Sequence, residues 1–300
     1  MRRLIISILF TGFYFISFSQ KDKCVSQDYP EPVLRDSIQK VFETNLRSAE
    51  NKYQNDSTND EYIIWYGRRL AYLGRYNEAI DIYTKGISLH PDNPRFYRHR
   101  GHRYITTRCF DKAIDDLKKA VDLVGDQIDE IEADGIPNAK NFPLGTLHTN
   151  IYYHLGLAYY LKGDYRDALL AYEKCLDIAD NDDMMVATLN WLNLTLRKMG
   201  RTGLAEQRIK SVNPDIELIE NQDYMDILLM YNSGNTSKIK EKINQQESLS
   251  NATLRYGLGA YYQFKGEKKK AKEIYQKVMA GNQWNSFGYI AAEAELAKMK

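Results

Sequence analysis

Gly67-Arg-Arg-Leu-Ala-Tyr-Leu-Gly74-Arg-Tyr76-Asn-Glu-Ala79 and Gly101-His-Arg-Tyr-Ile-Thr-Thr-Arg108-Cys-Phe110-Asp-Lys-Ala113 align without a gap at a spacing of 34 residues. The register continues through Tyr83 and Pro91 in the first segment and Leu117 and Gly125 in the second. A third copy carries Leu155, Gly156, Tyr159, Gly163, Tyr165, Ala168, Tyr172 and Cys175, offset by 55, so 21 residues are inserted before it. A late copy reads Leu258, Gly259, Tyr262, Gly266, Ala271 and Tyr275. Two weaker units lie between, Leu189 to Ile209 with a turn at Gly200 and Tyr224 to Ile243 with a turn at Gly234, giving six units.

Each recurring residue has a physical task. The first Gly and the following Ala are expected at a tight crossing of two helices, where a larger side chain would hold them apart. The second Gly ends the first helix, because a left-handed cap costs least there. The Tyr or Phe two residues later opens the apolar face of the second helix, and the Tyr or Leu beyond it is expected to reach the neighbouring unit. A unit this short cannot bury that face alone, so units must stack.

These positions resemble the tetratricopeptide-repeat (TPR) superfamily over roughly residues 60 to 280. The resemblance implies an all-α, right-handed α-solenoid of about six helix pairs, with a concave groove for a protein or peptide partner. The segments Tyr97 to Tyr104 and Phe287 to Ala294 are also similar to an uncharacterised bacterial subfamily of exported TPR proteins, which brings no activity with it. Pro32 to Asn51 reads as an N-terminal helix, Asn51 to Asp60 as a linker, and Tyr289 to Lys300 as a capping helix with Glu293, Glu295, Lys298 and Lys300 available for a wet face.

Ahead of the repeats, Arg2 and Arg3 precede a charge-free run from Leu4 to Phe18, followed by Ser19 and Gln20. This is the layout of a signal peptide over residues 1–19, too short for a comfortable membrane span. Retention as an anchor is the alternative; Lys21, Asp22 and Lys23 before Cys24 argue against lipid attachment. The expected setting is the periplasm or cell envelope, or secretion, with residues 20–59 forming the N-terminal helix and linker and 60–300 the solenoid. An exported chain with Cys24, Cys109 and Cys175 can form one disulfide and leave one thiol. Cys109 and Cys175 fall inside helical units and read as buried small hydrophobes.

Lys plus Arg number 41 against 40 Asp plus Glu, so no global field favours nucleic acid or an anionic membrane. Charge-based recognition must be local. Within the expected first helices, positions six before, three before and one after the marker Gly share one face. They place Arg68, Arg95, Arg98, His102, Asn150, Tyr153 and Asn190 on a cationic, amide-bearing and aromatic strip. Five basic residues fall within Arg98 to Arg103, which self-repel unless something compensates. Two readings remain open: a bound ligand with an anionic group, or neutralisation by Glu61 and an acidic insertion at about 124–144.

That insertion holds Asp126, Asp129, Glu130, Glu132 and Asp134, with Asn138 and Asn141 placed to lie beside the strip if the loop folds over the groove. Loops this long in a compact stack usually have a function. Its oxygen-ligand spacing is not that of an EF-hand. No HExxH, metal-spaced Cys/His set, phosphate loop or GxSxG elbow occurs, so no metal, cofactor or catalytic residue is assigned. The sequence points to a non-enzymatic binding or scaffolding module, the alternative being a receptor for a small anionic or sugar-like ligand held between the strip and the insertion.

Overall fold

The structure, a computed structural model, describes residues 29–245 and 250–299. The signal segment and Cys24 lie outside the described residues. Fourteen helices and no strand are found among those described. Helix α1 (Asp36–Asn55) precedes six antiparallel pairs: α2 (Asp60–Tyr72) with α3 (Tyr76–Leu89), α4 (Pro94–Thr106) with α5 (Phe110–Val124), α6 (Leu147–Lys162) with α7 (Tyr165–Ile178), α8 (Asp182–Lys198) with α9 (Thr202–Lys210), α10 (Gln222–Ser233) with α11 (Ser237–Gln245), and α12 (Ser250–Phe264) with α13 (Lys268–Met279). Helix α14 (Phe287–Lys298) ends the chain. The expected linker after residue 51 is shorter than the composition suggested, because α1 continues through Asn55.

Local chemistry separates first from second helices. The side chains of Asn59, Asn93, Thr146, Asn181 and Ser286 accept hydrogen bonds from the first-turn amides of α2, α4, α6, α8 and α14. Second helices need no such cap, since the chain enters them from a tight turn. At Gly74, Gly163, Gly200, Gly234 and Gly266 that turn has positive φ. The second unit puts Arg108 there instead, at φ +63°, which costs an L residue roughly 1–3 kcal/mol.

The crossing within a unit is a notch filled by a ring. A Cβ on Gly67 would stand 2.6 Å from the Tyr83 ring, and one on Gly156 2.6 Å from Tyr172; at Gly101 it would meet Leu117 at 2.8 Å. Leu117 and Tyr172 thus pack into their own unit's glycine, while Tyr83 does so and also stacks on His99 of the next unit at 5.6 Å, as expected of it.

The stack curls so that distant units meet. Tyr160 of α6 and Tyr256 of α12 share a hydroxyl hydrogen bond at 2.5 Å, and the buried Trp191 of α8 stacks on Tyr256 at 5.8 Å between ring centres. The ends meet as well: Trp284 packs against Tyr29 at 5.3 Å and Tyr76 at 6.0 Å. Helix α14 is not a wet cap. Glu295 is 3% exposed and accepts hydrogen bonds from Lys198 at 2.6 Å and Gln263 at 2.8 Å, while Glu293 accepts one from Arg108 at 2.7 Å.

Adding side-chain bulk at the notch should therefore push two helices apart. Gly156→Leu is expected to lower stability by about 1–3 kcal/mol, whereas Gly203→Ala in α9, where an added Cβ meets nothing within 4 Å, should be neutral or stabilising by up to about 1 kcal/mol. Urea unfolding of both variants checks the contrast, and equal midpoints would contradict it.

Candidate functional site

The insertion crosses the concave side as a strap. It is held to its own stem by an isolated antiparallel bridge between Ile131 and Thr146, with Glu132 N–H donating to Gly145 O at 2.9 Å and Leu147 N–H to Glu130 O at 2.8 Å. From there it enters the basic strip. Glu132, 8% exposed, pairs with Arg98 at 3.0 Å, lies 3.5 Å from His99 Nε2, and accepts a hydrogen bond from Asn150 at 3.1 Å. Arg68 donates to Ala133 O at 2.8 Å and Arg69 to Gly135 O at 2.7 Å.

The predicted strip residues thus divide into groups. Arg68, Arg98 and Asn150 come together on the strap, and Arg95 pairs with Glu61. His102 and Tyr153 lie in the interior around Phe287, whose ring centre is 5.5 Å from His102 and 6.4 Å from Tyr153. Tyr153 also accepts a hydrogen bond from Trp191 Nε1 at 2.9 Å. Asn190 is buried apart from these, with its Oδ1 unpartnered.

Asn138 and Asn141 are not brought to the strip as expected. Asn138 closes the strap's tip by donating to Phe142 O at 2.6 Å and accepting from Lys140 N–H, and Asn141 takes a positive φ of +51° there. The charge of Glu132 and two backbone carbonyls do what those amides were expected to do. Of the two open readings, neutralisation within the chain is the one the geometry contains. A cavity of about 250 Å³ between strip and strap is bordered by Arg68 and Arg95 but also by Glu61, Glu130 and Glu132, a balance that does not favour an added small anion.

Sequence reasoning missed Phe287 and Trp284, which reach the interior from the C-terminal end. A larger cavity, about 1060 Å³, lies between residues 32–42 and the 282–287 segment. Ile38 and Phe42 of α1 give it an apolar wall, Tyr72, His102, Tyr224 and Phe287 an aromatic one, and Asn221, Asn282 and Asn285 bring amides. Among the described residues no group of three or more His, Cys, Asp or Glu is placed to hold a metal ion. Cys175 is a free thiol whose burial pushes it up to about 12, so it is an inert filler at neutral pH. Cys109 departs from that reading: it is buried and disulfide-bonded.

Comparison with known proteins fits this architecture. Residues 67–105 match the model described as TPR repeat, and residues 149–182 and 252–280 match two models described as Tetratricopeptide repeat. Tetratricopeptide repeat protein 13 of Homo sapiens is 29% identical over 107 residues, covering 36% of this chain and 10% of that protein. The BBSome complex member BBS4 of Bos taurus is 27% identical over 129 residues, covering 43% and 21%. Tetratricopeptide repeat protein 36 of Caenorhabditis elegans is 39% identical over 59 residues, covering 20% and 33%. The matches thus span only about a tenth to a third of the length of these curated relatives. Among solved structures, YrrB, described as a TPR protein with an unusual peptide-binding site, superposes with a TM-score of 0.44 at 15% identity, covering 83% of this chain and 98% of that one. MamA does so with a TM-score of 0.45 at 21% identity, covering 59% and 93%.

Two consequences of the strip's electrostatics are measurable. Burial first, and then the neighbouring guanidiniums of Arg98 and Arg103, hold His99, His102 and His154 well below the usual imidazole value of 6.5. The unfolded chain takes up protons as pH falls through 6.5 while the folded chain does not. Stability is therefore full above that value and falls below it, by at most about 1.4 kcal/mol per pH unit for each imidazole. Urea midpoints at pH 7.5 and 5.5 should show the loss, and identical midpoints would contradict it. Separately, Arg98→Met strands Glu132 without its cation and should cost about 3–5 kcal/mol, read as a lowered melting temperature.

Proposed function

Since the chain is a tetratricopeptide-repeat protein, of a superfamily whose members generally serve as protein-interaction scaffolds, we propose that it is a non-enzymatic binding module of the cell envelope that engages a protein or peptide on its concave side. The central cavity between α1 and the 282–287 segment carries this reading. It combines an apolar wall, rings and amides, the mixture that suits a peptide offering an apolar side chain and a hydrogen-bonding backbone. Its volume holds a few residues of a partner. That one of the relatives is named as a member of a protein complex is in keeping with such a role.

Two features support the envelope setting. The Leu4–Phe18 run has the character of a signal peptide, and a disulfide at Cys109 is the kind of bond that an oxidising compartment maintains. Among the described residues no helix is long and apolar enough to cross a membrane.

Cross-linking and affinity purification from the native envelope test the cavity. Ile38→Glu and Thr253→Glu each put a charge into it without altering the strap and should lose the partner recovered with the wild-type chain while keeping the same helical circular dichroism. Recovery of identical partners from all three would overturn the cavity assignment. Export is tested by N-terminal sequencing of the fractionated protein: the expected start is Gln20 in the envelope, and a chain recovered whole from the cytoplasm would refute it.

A further inference from the structure

The strap has its polarity reversed. Its charged Glu132 is 8% exposed, whereas Ile128 is 92%, Ile131 72%, Phe142 57% and Ile136 53% exposed. A loop that merely covers a surface gains stability by burying its apolar side chains. This one buries Leu144 at its end but leaves those four largely exposed, and it commits a carboxylate and two carbonyls to the repeat helices instead.

Those contacts have the form of a receptor holding an extended peptide. Three first helices from successive units contribute: Arg68 and Arg69 from α2 take the carbonyls of Ala133 and Gly135, and Arg98 of α4 with Asn150 of α6 takes the Glu132 carboxylate. Backbone carbonyls are common to every peptide, so the selective element is the single acid side chain. On the strap's own side, regular pairing is confined to the isolated Ile131–Thr146 bridge and its two flanking hydrogen bonds. At its start stands Gly125, with positive φ and room around it.

We propose that Glu130–Gly135 are an in-cis occupant of a peptide-binding site on α2, α4 and α6, and that the partner presents an extended acidic segment that takes their place. The inference rests on the reading above that the partner is a protein or peptide engaged from the concave side. The incoming segment must be acidic because the Arg98 guanidinium is buried, and removing Glu132 without replacing its charge leaves an uncompensated cation. A neutral or basic segment is thereby excluded, as is one too short to reach both the arginines of α2 and Asn150. Attachment in cis gives the strap an effective concentration on the order of millimolar, so the wild-type chain is closed to weak competitors.

The test uses the chain without its signal segment and a fluorescein-labelled peptide of the sequence from Asp129 to Pro137. In one variant residues 131–135 are replaced by a Gly/Ser stretch of equal length. Fluorescence anisotropy should show this variant binding the peptide at least 100-fold more tightly than the wild type, and the same peptide with Glu132→Gln should bind neither. A variant that keeps its helical circular dichroism yet binds no peptide overturns the proposal, as does equal binding of the Gln peptide. Should the variant not fold, hydrogen exchange of the wild type decides: millimolar acidic peptide is expected to accelerate exchange at the Glu132 amide, and unchanged exchange overturns the proposal. Failure here with partner capture still lost in Ile38→Glu and Thr253→Glu leaves the scaffold reading standing, so the two are separable.

Discussion

The fit of an aromatic ring, or of Leu117, into a glycine notch sets the geometry of the helix pairs. Where Gly67, Gly101 and Gly156 lack a side chain, the second helix approaches closely enough for Tyr83, Leu117 and Tyr172 to be buried completely. That close approach fixes the crossing within those units, and the crossing, repeated, contributes to the curl of the stack. Enough curl accumulates for α6 and α8 to touch α12 through Tyr160, Trp191 and Tyr256. The interior over the later units is consequently filled by the chain's own aromatic side chains, and a large open volume remains where α1 approaches the 282–287 segment.

Closure of the ends depends on one residue that breaks the repeat pattern. Arg108 occupies a position where five other units place glycine, and its left-handed backbone carries a cost. In return its guanidinium stacks on Trp284 at 3.7 Å and donates to Trp284 O at 2.9 Å and to Glu293 at 2.7 Å. Trp284 in turn touches Tyr29 and Tyr76. A turn in the second unit is thus tied to the C-terminal segment and, through one indole, to the N-terminal one. Backbone strain at Arg108 and the walls of the central cavity belong to the same device.

The repeat fold was legible because its rule is local: a glycine, a turn glycine and a ring at fixed separations appear as spacing in the chain. The strip was legible for the same reason, since positions three and four apart on one helix share a face. What occupies the strip was not. Glu132 stood out only as one of five acids in the insertion, and nothing in the spacing separates it from Asp126 or Asp134; its role is set by where the strap's bridge to Thr146 places it. Asn138 and Asn141 were credited with reaching the strip on side-chain chemistry alone, yet their amides serve the backbone of a tight turn. Phe287 and Trp284 lie about 130 to 255 residues from the rings they meet, a separation over which helical periodicity carries no information. The one available signal was Arg108 in a glycine's place.

Electrostatic balance in the interior follows from these placements. Arg68 and Arg98 are buried in a region with little water, with Arg103 half-buried nearby, and like charges repel strongly there. The chain meets this in two ways: it brings Glu132 in from the strap, and it keeps His99, His102 and His154 uncharged, so that three imidazoles beside the guanidiniums add polar surface without adding charge. His102 and His154 approach to 4.2 Å between ring centres, which is tolerable for neutral rings and unfavourable for two imidazolium ions. Carboxylate and imidazoles are therefore coupled. Moving Glu132 away lowers the negative potential at His99 and deepens the preference of that ring for its neutral form, while an arriving carboxylate restores it. Emptying the strip leaves the buried Arg98 guanidinium without its counter-charge, and a carboxylate brought to the same place offsets that cost.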